Sequence, residues 1–320
     1  MRRRCPGGLR LHRPRTGLAE GVVVVKRVRA LVLTGFGINC QEEMAAAYRL
    51  AGAEADIVHF NELLAGKAAI RGYDVINFPG GFSFGDDLGA GKALANKMRF
   101  CQLASGRTLL DEIAGHVAAG GFVLGVCNGF QILVKSGLLP NIGGNFEQEV
   151  SLIVNDSGKF EDRWVHCRIE PPALSPFLSF PPPHDLASWE VKFSPSSPPA
   201  PATTVLSLPV RHKEGKLVCR DDAIRAAILK KGLCALRYCD AEGHIATGYP
   251  ALPNGAEFSC AALTDPTGRV LGMMPHPEAY LAFTNHPDWA RRREAAGGTE
   301  EGEGLRLFRN VVEHIRSRNR

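Results

Sequence analysis

A cysteine between two glycines is the residue best suited to chemistry in this chain of 320 residues. Cys127 lies in Gly125-Val126-Cys127-Asn128-Gly129, between an apolar segment (122–126) and a segment with helical spacing (128–136). Glycine, nucleophile and glycine between a strand and a helix are typical of a reactive side chain held on a strained turn. The start of the helix puts partial positive charge near the sulfur, which favours the thiolate. The pattern predicts a nucleophilic cysteine rather than an inert buried one.

A histidine and a glutamate follow a second apolar segment (270–274), 149 residues after the cysteine. Residues two apart in an extended chain face the same way, and the prolines of Pro275-His276-Pro277-Glu278 keep the backbone extended. Glu278 can therefore orient His276 and stabilise its charged form, while His276 accepts the thiol proton of Cys127. We expect the three side chains to form a catalytic triad.

A Pro-Gly-Gly sequence ends another apolar segment, in Phe78-Pro79-Gly80-Gly81-Phe82. Consecutive glycines free backbone N–H groups to point at a developing oxyanion. The N–H of Asn128, directly after the nucleophile, is the usual second donor. This segment is the candidate oxyanion loop.

Two other glycine-rich segments imitate nucleotide-binding motifs without completing them. Gly35-Phe36-Gly37 lacks the third glycine of a dinucleotide fingerprint. The segment 89–93 resembles the end of a P-loop, but Asp86 replaces the first glycine and Ala93 the final serine or threonine. The chain itself is therefore not expected to bind a nucleotide cofactor.

The elements that must position these residues alternate between short apolar strands and amphipathic helices from residue 28 to about residue 137. Such alternation predicts parallel strands with helical crossovers, which is a doubly wound α/β sheet. Beyond residue 149, strand-like segments are joined by turns, and residues 264–268 read as a hairpin turn. We expect a mostly parallel sheet with an antiparallel extension. A stripe of apolar residues predicts a closing helix; it consists of Leu305, Phe308, Val312 and Ile315.

We expect one domain over residues 28–320, preceded by a disordered basic arm at 1–27. Residues 1–19 contain six arginines and no acid; a transit peptide or a start codon assigned too early are the alternatives. Residues 171–209 hold 11 of the 21 prolines and are expected to form a Pro/Ser-rich surface loop inserted into the domain. Residues 291–304 are expected to be a solvated connection.

Composition excludes several classes of function. Hydrophobic residues make up 45% and charged residues 22% of the chain, which is typical of a globular protein, and no apolar run is long enough to cross a membrane. The net charge of +5 is concentrated in the arm, so no nucleic-acid surface is indicated. Nine cysteines without a CxxC pair predict neither disulfides nor a metal site, and they favour a cytoplasmic location.

The Pro-Gly-Gly strand end, the Gly-x-Cys-x-Gly turn and the late His-x-Glu, in this order, resemble the class I glutamine amidotransferases, which have a flavodoxin-like fold. Two longer segments, Pro79 to Asp86 and Gly125 to Gln131, narrow the resemblance to the glutaminase subunits of phosphoribosylformylglycinamidine synthases. So do residues 37–46 and 274–278. The resemblance covers about residues 28–285, apart from the proline-rich stretch.

This resemblance implies that glutamine is hydrolysed to glutamate and ammonia through a thioester on Cys127. His276 would be general base and then acid, Glu278 its orienting partner, and the backbone N–H groups of Gly81 and Asn128 the oxyanion hole. It also implies that Gln131 and Asn155 lie near the amino-acid end of the substrate L-glutamine. The expected partners are an ATP- and Mg²⁺-using synthetase subunit, which converts formylglycinamide ribonucleotide to formylglycinamidine ribonucleotide in purine biosynthesis, and a small accessory subunit.

Two other classes of function remain open from the residues alone. A cysteine form of the α/β-hydrolase fold would place its acid before the histidine along the chain, whereas here the acid follows it. A non-catalytic regulatory module could retain the fold without the activity. The complete set of Cys127, His276 and Glu278 favours the amidotransferase over both.

Overall fold

The computed structural model of the chain describes residues 27–103, 105–179, 204–293 and 300–318. The expected basic arm lies outside these residues except for Arg27, and so does the centre of the expected insert, 180–203. Both therefore stay predictions from the sequence.

The first half of the described chain alternates strands and helices, as the sequence predicted. Its elements are β1 (Arg29–Thr34), α1 (Gln41–Leu50), β2 (Glu54–His59), α2 (Phe60–Leu64), β3 (Val75–Phe78), α3 (Lys92–Phe100), α4 (Leu109–Ala118), β4 (Phe122–Val126) and α5 (Asn128–Lys135). The second half is richer in strands. It contains β5 (Val150–Ile153), β6 (Glu161–Ile169), β7 (Val205–His212), β8 (Lys216–Cys219), α6 (Asp222–Lys231), β9 (Cys234–Cys239), β10 (Cys260–Thr264), β11 (Val270–Met273), α7 (Trp289–Arg292) and α8 (Glu303–Arg318).

Nine strands form one sheet in the order β2-β1-β3-β4-β11-β10-β9-β6-β7. The first five strands of this order are parallel, and from β11 to β7 each neighbouring pair is antiparallel. The predicted doubly wound sheet with an antiparallel extension is confirmed. Because parallel strands end at the same edge, the loops after β1, β3, β4 and β11 meet at one side of the sheet.

The central strands have almost continuously apolar sequences because they are buried: every residue of β3, β4, β10 and β11 is inaccessible to solvent or nearly so. Continuous apolar strands are typical of a sheet covered on both faces. One hydrophobic cluster contains side chains from Val28 to Ile315, and α8 contributes the predicted stripe to it. A capping box at Thr108 fixes the start of α4, because its side chain and that of Asp111 satisfy each other's backbone N–H groups.

The expected insert at 171–209 is too long at both ends. Phe177 and Leu178 form a 3-10 turn and are fully buried, and Phe122 meets the ring of Phe177 edge-on at 6.3 Å. At the other end, β7 pairs with β6 over eight residues, so residues 205–209 are sheet rather than loop. The high proline content of the segment led to the prediction of a loop over its whole length. An edge strand such as β7, however, tolerates a proline such as Pro209.

Two smaller expectations also differ from the structure. The sequence did not predict α6, a helix capped by Asp221, whose side chain accepts from the N–H of Ile224. The expected solvated connection at 291–304 is too long, since Glu303 and Gly304 already begin α8 and Gly304 is buried. Among the described residues no helix is long and apolar enough to span a bilayer.

Candidate active site

Cys127 occupies the turn between β4 and α5 with left-handed backbone angles, φ 52° and ψ −106°. A non-glycine residue in this region is strained, which costs about 1–3 kcal/mol and is typical of functional sites. The turn is tight enough to require glycine beside it, since a Cβ on Gly129 would lie 1.8 Å from the carbonyl oxygen of Phe78. Cys127 thus lies at the carboxyl edge of the sheet, on the strand-to-helix turn expected from the sequence, and its role as the nucleophile stays a prediction.

His276 and Glu278 form a buried pair beside this turn. The Nδ1 atom of His276 lies 2.6 Å from Oε1 of Glu278, and each residue is at most 3% exposed. Burial alone would lower the pKa of His276, but the negative charge of Glu278 and the neighbouring thiol of Cys127 raise this pKa well above its usual value. Glu278 therefore stabilises the charged imidazole that results from taking a proton.

The last residues of β7 reach the same site with backbone carbonyl groups. The thiol of Cys127 donates to the carbonyl oxygen of Arg211 at 3.4 Å, and the N–H of His276 donates to that of Pro209 at 2.8 Å. Strand β7 lies four places beyond β11 in the sheet, so the antiparallel half must curl back over the catalytic edge. Sequence reasoning missed this contribution, because a carbonyl group carries no residue-type signal.

The candidate oxyanion loop, Gly80-Gly81, packs against the turn after β1. Gly80 accepts from the N–H groups of Asn39 and Cys40, and a Cβ on Gly81, which has φ 147°, would lie 2.4 Å from the carbonyl oxygen of Gly37. Position 81 therefore requires glycine. The side chain of Asn128 ties this loop to the nucleophile helix, because its Oδ1 accepts from the N–H of Ser83 at 3.1 Å.

The two residues expected near the amino-acid end of glutamine hold the segment after β7 in place. Gln131 donates from Nε2 to the carbonyl oxygen of Glu214 at 2.6 Å. Asn155 donates from Nδ2 to the carbonyl oxygen of His212 at 2.9 Å, and its Oδ1 accepts from the N–H of Gly215 at 3.0 Å. Both amide side chains thus bind backbone groups of the segment that begins beside Cys127, and their expected contact with glutamine stays a prediction.

A polar cluster that the sequence did not predict supports the same segment. Asp86 accepts from the side chain of Asn128 at 3.1 Å and from the N–H of Gly91 at 3.2 Å, while burial raises the pKa of its carboxyl group. Glu214 accepts from the N–H of Ala90 at 3.3 Å. Asp86 was noticed only as the residue that breaks a P-loop pattern, yet the segment that resembles the family, Pro79 to Asp86, already contained the signal.

His212 presents a neutral imidazole to the inner side of this segment. Burial, together with the positive charges of His276 and Arg163, lowers the pKa of His212 to about 3. Its Nδ1 lies 3.2 Å from Oδ1 of Asn155, and a Cβ on Gly215 would lie 2.5 Å from the ring. A neutral ring at this position avoids a second positive charge beside the catalytic histidine.

Taken as chemistry, these groups can carry out acyl transfer from an amide. A thiol on a strained turn lies beside a buried imidazole whose protonated form is stabilised by a carboxylate. The fold and the site together define a cysteine-dependent amidotransferase.

Comparison with known proteins agrees with this definition. The sequence pattern of one protein family, described as the CobB/CobQ-like glutamine amidotransferase domain, matches residues 27–191 and 184–315. The chain belongs to this glutamine amidotransferase family.

The similar curated proteins are of a particular kind. The phosphoribosylformylglycinamidine synthase subunit PurQ of Methanococcus maripaludis is 34% identical over 295 residues, which cover 90% of this chain and 98% of that protein. The PurQ subunit of Dehalococcoides mccartyi is 35% identical over 292 residues, covering 91% and 99%. Among solved structures, PurLQS from Thermotoga maritima contains a chain that is similar with a TM-score of 0.59 and 25% identity, covering 91% of this chain and all of that one.

Proposed function

We propose that this protein is the glutaminase subunit of a phosphoribosylformylglycinamidine synthase. It hydrolyses L-glutamine to glutamate and ammonia and supplies the ammonia to an ATP-dependent partner that forms formylglycinamidine ribonucleotide in purine biosynthesis. The single observation that carries the chemistry is the left-handed Cys127 turn beside the buried His276–Glu278 pair. The relatives named PurQ, matched over nine-tenths of this chain, carry the assignment of the pathway.

The proposed reaction begins with proton transfer from the thiol of Cys127 to Nε2 of His276, while the sulfur attacks the side-chain carbonyl carbon of glutamine. Backbone N–H groups of Gly81 and Asn128 stabilise the resulting oxyanion. The imidazolium then gives its proton to the leaving nitrogen, so ammonia departs and a glutamyl thioester remains. Water, deprotonated by His276, hydrolyses the thioester to glutamate.

For this reaction the thiol must turn. In the structure its proton is directed to the carbonyl oxygen of Arg211, and Nε2 of His276 is buried without a hydrogen-bond partner. Rotation of the S–H group about the Cβ–Sγ bond of Cys127 redirects its proton from the carbonyl group to the neighbouring imidazole. We propose that substrate or partner binding favours the second arrangement, which keeps the isolated subunit from wasting glutamine.

The proposed partners follow from the solved structure of PurLQS, in which a PurQ chain is assembled with PurL and PurS. A synthetase subunit uses ATP and Mg²⁺, and a small accessory subunit completes the complex. Residues 28–320 are proposed to form one amidotransferase domain, and a cytoplasmic location remains a prediction from the cysteine content.

The test replaces Cys127 with alanine in the complex reconstituted with its synthetase partner. Glutamine-dependent synthesis should fall by at least about 1,000-fold because the nucleophile is gone. Synthesis from added ammonium salt should continue, since the synthetase takes ammonia directly.

Cys101→Ala is a suitable control, because Cys101 is a half-buried cysteine at the end of α3, away from the catalytic turn. Glutamine-dependent synthesis that survives Cys127→Ala would contradict the mechanism. Loss of the ammonia-dependent reaction as well would point to a defect in assembly, which gel filtration of the complex would detect.

A further inference from the structure

We propose that Cys40, His276 and Glu278 form a binding site for a zinc-class divalent cation that holds the glutaminase in an inactive state. The proposal rests on the function proposed above, because it concerns the regulation of the same histidine. It assigns a role to Cys40, which the catalytic mechanism does not use.

The three side chains meet closely enough to share one ion. One ligand atom from each residue lies within 4.8 Å of the others. Zinc takes thiolate sulfur, imidazole nitrogen and carboxylate oxygen at about 2.0–2.3 Å, usually in tetrahedral geometry, and this cluster offers one of each. A water molecule can take the fourth position, which the half-buried location of Cys40 leaves accessible.

Unused buried polar atoms are the second, independent observation. Oε2 of Glu278 is buried and has no hydrogen-bond partner among the described residues. A buried carboxylate oxygen without a partner is costly, and a cation removes that cost. The thiol of Cys40 makes only a long hydrogen bond to the side-chain oxygen of Asn39, at 3.7 Å, and it also lies close enough to His276 to raise the pKa of that imidazole.

The backbone fixes Cys40 against the catalytic histidine. Its N–H donates to the carbonyl oxygen of Gly80 at 3.3 Å, so the turn before α1 moves with the oxyanion loop. A Cβ on Gly80 would lie 3.3 Å from the sulfur of Cys40 and 2.7 Å from Cε1 of His276, which places both groups over the same glycine. Glycine at this position keeps the space between sulfur and imidazole open.

The bound ion would switch off the base. The ion binds Nδ1 of His276 in place of the proton there, that proton moves to Nε2 as the imidazole changes tautomer, and the thiol of Cys40 loses its proton to solvent. The neutral imidazole then carries its single proton on Nε2, towards Cys127, and can no longer accept one. Glutaminase activity stops while the nucleophile itself is untouched.

The first experiment measures binding of Co²⁺ to the full-length chain, with no need for activity. Thiolate ligation of Co²⁺ gives a charge-transfer band in the near ultraviolet, which carboxylate and imidazole ligands do not give. We expect one such site per chain, displaced by Zn²⁺, present in Cys127→Ala and Cys101→Ala and absent in Cys40→Ala and Cys40→Ser. Unchanged thermal unfolding of the Cys40 variants shows that they are folded.

The ligand set makes this result decisive. A band that persists in both Cys40 variants, or one that disappears in Cys127→Ala, would overturn the proposal, because the ion would then use another sulfur. A second cluster near the surface, Asp240, Glu242 and His244, can also attract Co²⁺, but it contains no sulfur and cannot give the band.

The second experiment measures inhibition by Zn²⁺ in the reconstituted complex. Glutamine-dependent synthesis should be inhibited and restored by a chelator, whereas ammonia-dependent synthesis should not respond. The inhibitory Zn²⁺ concentration should rise by at least about tenfold in Cys40→Ser, since one of three protein ligands is lost. Equal sensitivity of both nitrogen sources would overturn the regulatory role. A sulfur-dependent Co²⁺ site in a chain without any glutaminase activity would instead count against the proposed function.

Discussion

The parallel and antiparallel halves of the sheet contribute different kinds of groups to one site. The parallel strands β4 and β11 are followed by the side chains that we propose to react, Cys127 and His276. The antiparallel edge strand β7 contributes backbone carbonyl groups, those of Pro209 and Arg211, which contact the same two residues. Reactive side chains are visible in a sequence, whereas backbone groups that restrain them are not.

The two halves of the sheet therefore have different roles. One supplies the side chains proposed for the chemistry, and the other supplies backbone groups that restrain them. The parallel half fixes what the site can do, through residue types and the strained turn. The antiparallel half contacts these residues through its backbone, because the carbonyl oxygen of Arg211 accepts from the thiol of Cys127. Variants of the two halves should therefore fail in different ways.

The largest effect on stability should come from the short turn that the sequence assigned to the insert. Phe177→Ala removes a fully buried ring that packs against Phe122, and it should lower the free energy of unfolding by about 4 kcal/mol. Urea denaturation measures this change. Leu174→Ala, at a side chain that is 36% exposed, is the matched control and should change stability by less than about 1 kcal/mol. Equal losses of stability in the two variants would instead support the surface loop that the sequence predicted from residue 171 onwards.

Glu278→Gln tests the chemistry of the parallel half. The amide cannot stabilise the imidazolium, so glutaminase activity in the complex should fall by about 100-fold or more. The pKa of His276 is raised in the fold, so its proton stabilises the fold fully below about pH 6.5 and less as pH rises through the folded pKa.

Relative to the parent protein, Glu278→Gln should therefore lose the most stability at low pH. The pKa of His276, measured by NMR titration, should also be lower in this variant. If the pKa of His276 is the same in this variant as in the parent protein, Glu278 does not stabilise the charged imidazole.

Asn155→Ala tests restraint by the antiparallel half. It leaves the buried N–H of Gly215 and the carbonyl group of His212 without their partners, which should cost about 2 kcal/mol of stability. If Asn155 positions the segment, the loss should appear in kcat and in thermal unfolding together. A rise in KM alone, with stability unchanged, would instead identify Asn155 as a direct ligand of glutamine.

The smallest effect should come from the proline-rich stretch between residues 180 and 203. Its sequence lacks core periodicity, so replacement by a short glycine-serine linker should shift the melting temperature by no more than about 2 °C. Differential scanning calorimetry measures this. A large loss of stability would show that the stretch packs against the domain.

The sequence predicted the parallel half closely because its signals are local. The bounds of β4 match the predicted apolar segment 122–126, α5 begins at residue 128 as predicted, and Gly125 to Gly129 indicate the tight turn between them by residue type. His276 and Glu278 needed only their spacing and the flanking prolines. The roles of individual residues, including those of Gly81 and Gln131, stay predictions until they are tested by mutation.

The antiparallel half was predicted less well because its determinants are not local. Strand β7 is stabilised by pairing with β6 across a long gap in the chain, and Pro209 argued against a strand at that point. The contact of Asn155 with the segment after β7 spans about 60 residues and follows only from tertiary packing. Helix α6 has a weakly apolar face, so its cap at Asp221 was the only local signal.

Because the backbone of Cys127 is left-handed, thermal stability and catalytic activity favour different residues at this position. A glycine would relax that conformation and lose only a small side chain, so a Cys127→Gly protein could unfold at a higher temperature than its parent. A search for heat-resistant variants that scores folding alone would thus favour inactive molecules at this position. Directed evolution of this enzyme therefore needs a growth requirement for purines alongside any thermal screen.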